Sequence, residues 1–94
     1  MYGNFSAKSV TETKVDVTAS WTALPTTAKS GRALLEVYNK DENKIYVSFD
    51  NTASIKERSA IGSSEVRIYP IQDNLTLYAR TQTGGARVIV TEYK

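Results

Sequence analysis

Apolar and polar residues alternate with a period of two along most of the chain, and helical periodicity is weak. In residues 13–19, Val15, Val17 and Ala19 share one face, and the residues between them are polar. The same alternation predicts further strands over residues 32–38, 45–50, 66–71, 75–80 and 87–93. Residues 32–38 could also form a helical turn, but a strand is predicted because the segment after it can complete a hairpin.

Polar segments that favour turns separate these strands. Residues 39–44 predict a tight turn, and residues 51–64 predict a long loop with a short strand near Ile61. Pro70 indicates that its strand ends there or lies at a sheet edge, because proline cannot donate to a ladder. Thr83-Gly84-Gly85 predicts the turn of a last hairpin, since glycine tolerates a positive φ.

Six to eight short strands at regular spacing predict an all-β fold, a small antiparallel β-sandwich that is jelly-roll-like. The pattern is also typical of a partly closed barrel. Ninety-four residues are enough for one hydrophobic core, so we expect a single domain over residues 12–94. Residues 1–11 are mostly polar, with Tyr2 and Phe5 as isolated aromatic residues, and they predict an extended N-terminal arm.

The composition argues against catalysis, because the chain contains no histidine and no cysteine. Imidazole is the usual general base and a common metal ligand, and a thiolate is the usual sulfur nucleophile. A net charge of +2 with scattered basic residues also argues against nucleic acid. We therefore predict a protein that binds rather than an enzyme, with no cofactor and no nucleic-acid partner.

The chain has no run of about 18 apolar residues, so no membrane span is predicted. Its first residues lack the basic start and apolar stretch of a signal peptide, which predicts synthesis and retention in a cytoplasm.

The acidic residues do not predict a metal site. Asp41 and Glu42 lie in a turn beside lysines, where a solvated loop is the ordinary interpretation. Asp50, Glu57 and Glu65 flank the long loop and could converge on a cation, but their spacing matches no calcium-binding loop.

The aromatic residues are the candidates for partner contacts. Tyrosines within the strands are predicted to lie mostly on the face opposite the aliphatic residues. Tyr69 with Arg67, and Tyr78 with Arg80, could stack sugar rings or single-stranded nucleic acid on an exposed sheet. Subunit contacts are the favoured interpretation, because the amphipathic tyrosine ring suits an interface. Trp21 is expected to pack under the adjoining loop, with an interface role as the alternative.

Short sequence motifs over residues 10–94 resemble those of small structural proteins of tailed bacteriophages. They comprise a Leu-Pro segment, a Ser-Gly-Arg turn, two tyrosine-containing strands, a Leu-Tyr-Ala strand and a terminal strand: Ala23-Leu24-Pro25, Ser30-Gly31-Arg32, Val37-Tyr38-Asn39, Ile45-Tyr46-Val47, Leu75 to Arg80 and Val88 to Glu92.

The resemblance implies a virion structural protein made in the cytoplasm of a bacterial host. Expected roles are a capsid decoration (cement) protein on the virion surface, a head-fibre base, or a neck or tail accessory protein. A decoration protein would bind the major capsid protein or another virion protein and bridge neighbouring subunits. Self-association is expected, with a trimer favoured, and Tyr2 and Phe5 are the expected anchors of the arm. A carbohydrate-binding or host-adhesion module is the alternative.

Overall fold

Residues 9–55 and 59–94 are described by a computed structural model of the chain. In these residues, eight strands form two antiparallel sheets, and no α-helix occurs. The strands are β1 (Val10–Val17), β2 (Thr22–Ala23), β3 (Leu34–Asn39), β4 (Ile45–Ser48), β5 (Ser59–Ile61), β6 (Val66–Tyr69), β7 (Tyr78–Arg80) and β8 (Ala86–Tyr93).

The first sheet has the order β1-β8-β3-β6, and the second has the order β2-β7-β4-β5. This is the arrangement of a jelly roll, in which the chain repeatedly crosses from one sheet to the other. The predicted all-β sandwich of jelly-roll type is therefore confirmed.

Two predicted hairpins are wrong, because the strands on either side of each turn belong to different sheets. Residues 40–44 join β3 in the first sheet to β4 in the second, and residues 81–85 join β7 to β8 in the same way. Both turns therefore form corners of the sandwich. Within the described segments, β4 and β5 are the one consecutive pair of strands that hydrogen-bond to each other.

Several strand boundaries also differ from the predicted ones. β1 begins at Val10, so Val10 and Thr11 belong to the sheet rather than to the arm, and Ala19 is exposed beyond the end of β1. Phe49 follows β4 and is 52% exposed, so it does not continue the inward-facing alternation of Ile45 and Val47. The predictions for the short strand β5 and for the end of β6 before Pro70 are confirmed.

The interior between the sheets is filled by aliphatic side chains, which alternate with outward-facing residues as predicted for β1 and β8. Each fully buried side chain of this kind contributes about 1.5–3 kcal/mol relative to an exposed one. The core consists of Val15, Val17, Leu24, Leu35, Val37, Ile45, Val47, Ile61, Ile71, Leu77, Ala79, Ala86, Val88 and Val90.

A buried ion pair lies at one end of this core. Arg32 precedes β3 and is 2% exposed, and Glu92 lies on the inner face of β8 and is 1% exposed. Arg32 Nη1 is 2.9 Å from Glu92 Oε2. The guanidinium also donates to the carbonyl oxygens of Gln72 at 3.2 Å and Leu75 at 2.6 Å. The pair therefore connects β8 to the segment between β6 and β7.

The same carboxylate holds the segment between β2 and β3. The backbone N–H of Lys29 donates to Glu92 Oε2 at 2.7 Å. Glu92 Oε1 is buried, and no donor among the described residues hydrogen-bonds to it. A buried carboxylate lowers the stability of the fold unless it is well paired. Glu92 can therefore be buried here only because Arg32 is its counter-ion.

Replacement of Arg32 by alanine should therefore destabilise the fold strongly. We expect Arg32→Ala to lower the free energy of unfolding by about 3–5 kcal/mol, because it leaves Glu92 buried without its counter-ion. Urea denaturation followed by circular dichroism measures the change.

The matched control is Arg87→Ala, which removes an exposed ion pair with Asp16 whose nitrogen–oxygen distance is 3.5 Å. Exposed pairs contribute at most about 1 kcal/mol, so this loss should be small. Equal losses in the two variants would contradict the structural role of the Arg32–Glu92 pair.

Candidate interaction surface

In the described residues, the strand positions that face the inside of the sandwich are mainly aliphatic. The buried charged groups, Arg32 and Glu92, bind each other and nearby backbone groups. In residues 9–55 and 59–94, no group of three histidine, cysteine, aspartate or glutamate residues could hold a metal ion.

The acidic residues considered above mostly support loops. Asp41 accepts hydrogen bonds from the backbone N–H groups of Arg87 at 3.2 Å and Glu42 at 2.8 Å, and these bonds lower the pKa of Asp41 below its ordinary value. Asp50 accepts from the backbone N–H of Thr52 at 2.9 Å.

Glu65 accepts a hydrogen bond from the backbone N–H of Gly62 in the same way. Glu57 lies outside the described residues. The described carboxylates named here therefore stabilise turns locally and do not converge on one point.

The outer face of the first sheet is the most distinctive surface. Residues paired across antiparallel strands lie on the same face, so the register defines this surface directly. Its rows across β1, β8, β3 and β6 are Val10–Tyr93–Leu34, Glu12–Thr91–Glu36–Ile68 and Lys14–Ile89–Tyr38–Val66.

The half of this face nearer β6 is mostly apolar. Val66 is 48% exposed and Ile68 is 59% exposed, and their neighbours on β3 and β8 are half-buried. Glu36 and Thr91 lie between its apolar rows, and the hydroxyl of Tyr93 donates to Glu36 Oε1 at 3.3 Å. We call this surface the apolar band, and it consists of Leu34, Tyr38, Val66, Ile68, Ile89 and Tyr93.

The half of the face nearer β1 is charged and exposed. Glu12, Lys14 and Asp16 alternate along β1, and Arg87 on β8 lies beside Asp16. We call these four residues the charged border. An apolar patch with a polar, solvated rim is the usual composition of a protein–protein interface.

The sequence-predicted contact residues do not form a common surface. Tyr2 and Phe5 lie outside the described residues. Trp21 is half-buried, and its indole N–H donates to the carbonyl oxygen of Ala53 at 3.1 Å, in the loop after β4. The guanidinium of Arg80 lies 5.9 Å from the centre of the Trp21 ring.

Tyr69 and Tyr78 lie in different sheets. Tyr69 on β6 is opposite the buried Leu35 and packs against the core, so its ring faces inward. Tyr78 on β7 is half-buried and lies opposite Ser48 in the second sheet. The two tyrosines therefore do not share one exposed face.

The inward position of Tyr69 means that β6 turns its aliphatic residues outward. Val66 and Ile68 are opposite Tyr38 and Glu36, which lie on the outer face of β3. The sequence of β6 places Val66 and Ile68 on one face of the strand and Arg67 and Tyr69 on the other. It does not show which face is inward, because both faces carry large side chains. The six apolar or aromatic residues of the apolar band, which the strand register brings to one face, could not be found from the sequence.

Two of the motifs that resemble bacteriophage proteins contain residues with a structural role. Arg32 of Ser-Gly-Arg forms the buried ion pair. Asn39, at the end of β3, is buried and donates from Nδ2 to the carbonyl oxygens of Asn43 at 2.9 Å and Ile61 at 3.1 Å. These residues therefore maintain corners of the sandwich and do not mark a binding site.

Comparison with solved structures identifies proteins of the same fold. Protein NMB1881 from Neisseria meningitidis has a TM-score of 0.59 and 13% sequence identity, with 96% of this chain and 80% of that chain covered. An RmlC-like cupin from Shewanella frigidimarina has a TM-score of 0.56 and 15% identity, with 89% and 65% covered.

The cobalt(II) form of HppE in complex with its substrate has a TM-score of 0.60 and 10% identity; 88% of this chain and 44% of that chain are covered. The present chain thus spans less than half of the HppE chain. No protein-family model and no curated protein sequence matches the chain. At these identities the comparisons establish the β-sandwich fold alone.

A metal centre such as the one in cobalt-containing HppE does not fit the residues found here. Histidine and cysteine are absent from the sequence, and the inner positions of β3, β4, β7 and β8 are mainly aliphatic. The buried carboxylate of Glu92 already binds Arg32 and the Lys29 N–H. The fold is therefore shared without a matching set of donor atoms.

The inward position of Tyr69 can be tested by titration. Burial raises the pKa of its phenol above the ordinary value, against the opposing effect of Arg67. At a pH below the ordinary tyrosine pKa, the protonated phenol of Tyr69 contributes fully to the stability of the folded state. This contribution is lost as the pH rises through the pKa that Tyr69 has in the folded state. NMR spectra of the chain with ring-labelled tyrosine measure this, and the Tyr69→Phe variant identifies the Tyr69 signal. The Tyr69 signal should titrate at a higher pH than that of the reference compound N-acetyl-tyrosinamide. A signal that titrates with or below this reference would contradict the placement.

Proposed function

We propose that this chain is a non-enzymatic structural protein of a tailed-bacteriophage particle. It binds the outer surface of the capsid and bridges neighbouring capsid subunits, and it makes this contact through the outer face of the first sheet. The observation that carries the proposal is the apolar band beside the charged border on one face of a β-sandwich with an aliphatic core.

A binding role is supported by the energetic cost of this surface. Val66 and Ile68 expose about half or more of their side chains to water, next to four half-buried apolar or aromatic residues. Covering a large aliphatic side chain fully is favourable by about 1.5–3 kcal/mol. A partner that covers the band therefore gains affinity, and the charged border limits the orientations in which it can bind.

A structural role is supported by the absence of a suitable chemical site in the described residues. The space between the sheets contains aliphatic side chains, and the carboxylates examined above stabilise turns or bind Arg32. The sandwich therefore acts as a rigid support for its outer surfaces.

The bacteriophage setting rests on the sequence resemblance, and jelly rolls are common in viral capsid proteins. The partner is the major capsid protein or another virion protein, which places the chain on the virion surface. Many copies on a capsid lattice would turn a weak single contact into a strong collective one. A position at the neck or tail would use the same surface.

The carbohydrate-binding alternative was predicted from exposed tyrosines of a β-sandwich, with Tyr69 beside Arg67 and Tyr78 beside Arg80. Tyr69 faces the core and Tyr78 lies in the other sheet. No observation in the described residues favours this alternative over a protein contact, and it stays a prediction from the sequence.

The proposal predicts that a charge in the apolar band prevents attachment. Particles lacking the chain are prepared by deleting its gene from the phage that encodes it, and purified chain is then added back. Bound chain is measured by quantitative mass spectrometry after gradient sedimentation. We expect Ile68→Lys to weaken binding at least about tenfold, because it removes apolar contact and places a charge in the interface.

Leu75→Lys is the matched control, since Leu75 is 49% exposed but lies outside the first sheet. It should bind like the unaltered chain. Circular dichroism and thermal unfolding establish that both variants fold. Wild-type chain that does not bind the particles, or Ile68→Lys that binds as well as Leu75→Lys, would refute the proposal.

A further inference from the structure

The free edge of β1 is the longest strand edge left open among the described residues. β1 contains eight residues and lies at the end of the first sheet, where it pairs with β8 on one side. The other terminal strands, β2, β5 and β6, contain two, three and four residues. An open edge of this length can pair with another strand, and natural proteins usually protect such edges.

The hydrogen-bonding pattern identifies the backbone groups that point away from β8. The N–H of Lys94 donates to the carbonyl oxygen of Ser9 at 2.9 Å, so Ser9 and Lys94 form a hydrogen-bonded pair in register with β1 and β8. Such pairs alternate along an antiparallel ladder. The N–H and C=O groups of Val10, Glu12, Lys14 and Asp16 are therefore directed to the open edge.

We propose that β1 of a second copy of this chain pairs antiparallel with this edge about a two-fold axis at Thr13. Glu12 is then opposite Lys14 of the second copy, and Lys14 is opposite Glu12 of the second copy. These are hydrogen-bonded pairs, because both residues direct their backbone groups to the edge. The strand thus has complementary charges on either side of its own centre.

Other registers are less favourable. Moving the axis to Glu12 places two glutamates opposite each other, and moving it to Lys14 places two lysines opposite each other, which is destabilising. An axis at Val15 pairs Lys14 with Asp16 twice, but it overlaps five residues of β1 instead of seven. It also uses Asp16, which lies 3.5 Å from Arg87. The axis at Thr13 combines the longer overlap with two opposite-charge pairs.

The inner face of β1 also suits this pairing. Thr13 is half-buried at the open edge, where a second strand would cover it, and the Thr11 hydroxyl accepts a hydrogen bond from Lys29 Nζ of the same chain at 2.8 Å. A groove beside the edge is lined by Thr13, Val15, Thr22 and Pro25, which provides space for the approach of a second copy. Pairing would join the two first sheets into one eight-stranded sheet with an apolar band at each end.

The inference stands on the geometry of β1 and is independent of the capsid partner proposed above. Two-fold pairing brings the same patch of both copies together. A three-fold ring cannot pair two β1 edges in this way, so the trimer expected from the sequence and the dimer inferred here make different predictions.

Charge reversal tests the register. Glu12→Lys and Lys14→Glu each convert two attractive pairs into two repulsive ones, whereas the double variant restores both pairs in reversed order. In sedimentation equilibrium of the full chain, each single variant should raise the dimer dissociation constant about tenfold or more, and the double variant should return it close to the original value. Both residues are exposed, so these variants should fold.

Cross-linking tests the position of the axis. The chain has no cysteine, so a single introduced thiol reports one contact. Cα atoms of a non-hydrogen-bonded pair are about 4.5 Å apart, within the range of a disulfide. Thr13→Cys should therefore form a disulfide-linked dimer on mild oxidation, whereas Val15→Cys and the loop control Asn74→Cys should not.

A monomer or trimer in sedimentation at concentrations up to the millimolar range would overturn the inference. So would a double charge variant as weak as the single ones, or cross-linking by Val15→Cys in place of Thr13→Cys. None of these outcomes bears on binding to phage particles through Ile68, which the particle experiment measures separately.

Discussion

Packing of aliphatic side chains between two sheets is the constraint on which the rest of this structure depends. Most inward positions of β1, β3, β4, β7 and β8 are occupied by valine, leucine, isoleucine or alanine, and the polar exceptions are Thr11, Thr13, Asn39 and Glu92. Because aliphatic side chains occupy most of the described inward positions, the polar and charged side chains lie mainly on the outer faces and edges. The proposed functions of this chain follow from that division.

The buried Arg32–Glu92 pair extends this packing to the loops. Its atoms hold the segments before β3 and after β6 against the end of β8. A buried ion pair adds little net stability compared with apolar packing, but removing one partner is costly. We interpret the pair as a contact that fixes the positions of two irregular segments.

The sequence predicted the parts of the fold that local alternation specifies. The inward faces of β1 and β8, the end of β6 before Pro70 and the β-sandwich itself could be predicted, because period-two burial is a local property. The hairpins at residues 39–44 and 83–85 were wrong, since a turn has the same local chemistry whether its strands pair or cross between sheets. The apolar band combines residues from β3, β6 and β8, so it is visible only once the register is known.

In the proposed function, the partner contacts the outer face of the first sheet and not the open ends of the sandwich. Hydroxyl-radical footprinting of the free chain and of the chain bound to purified phage particles distinguishes these two surfaces, because it reports side-chain accessibility. We expect strong protection of Tyr38 and Ile68 in the particles, with Phe49 and Leu75 unchanged. Protection of Phe49 and Leu75 with Ile68 still accessible would contradict the proposal.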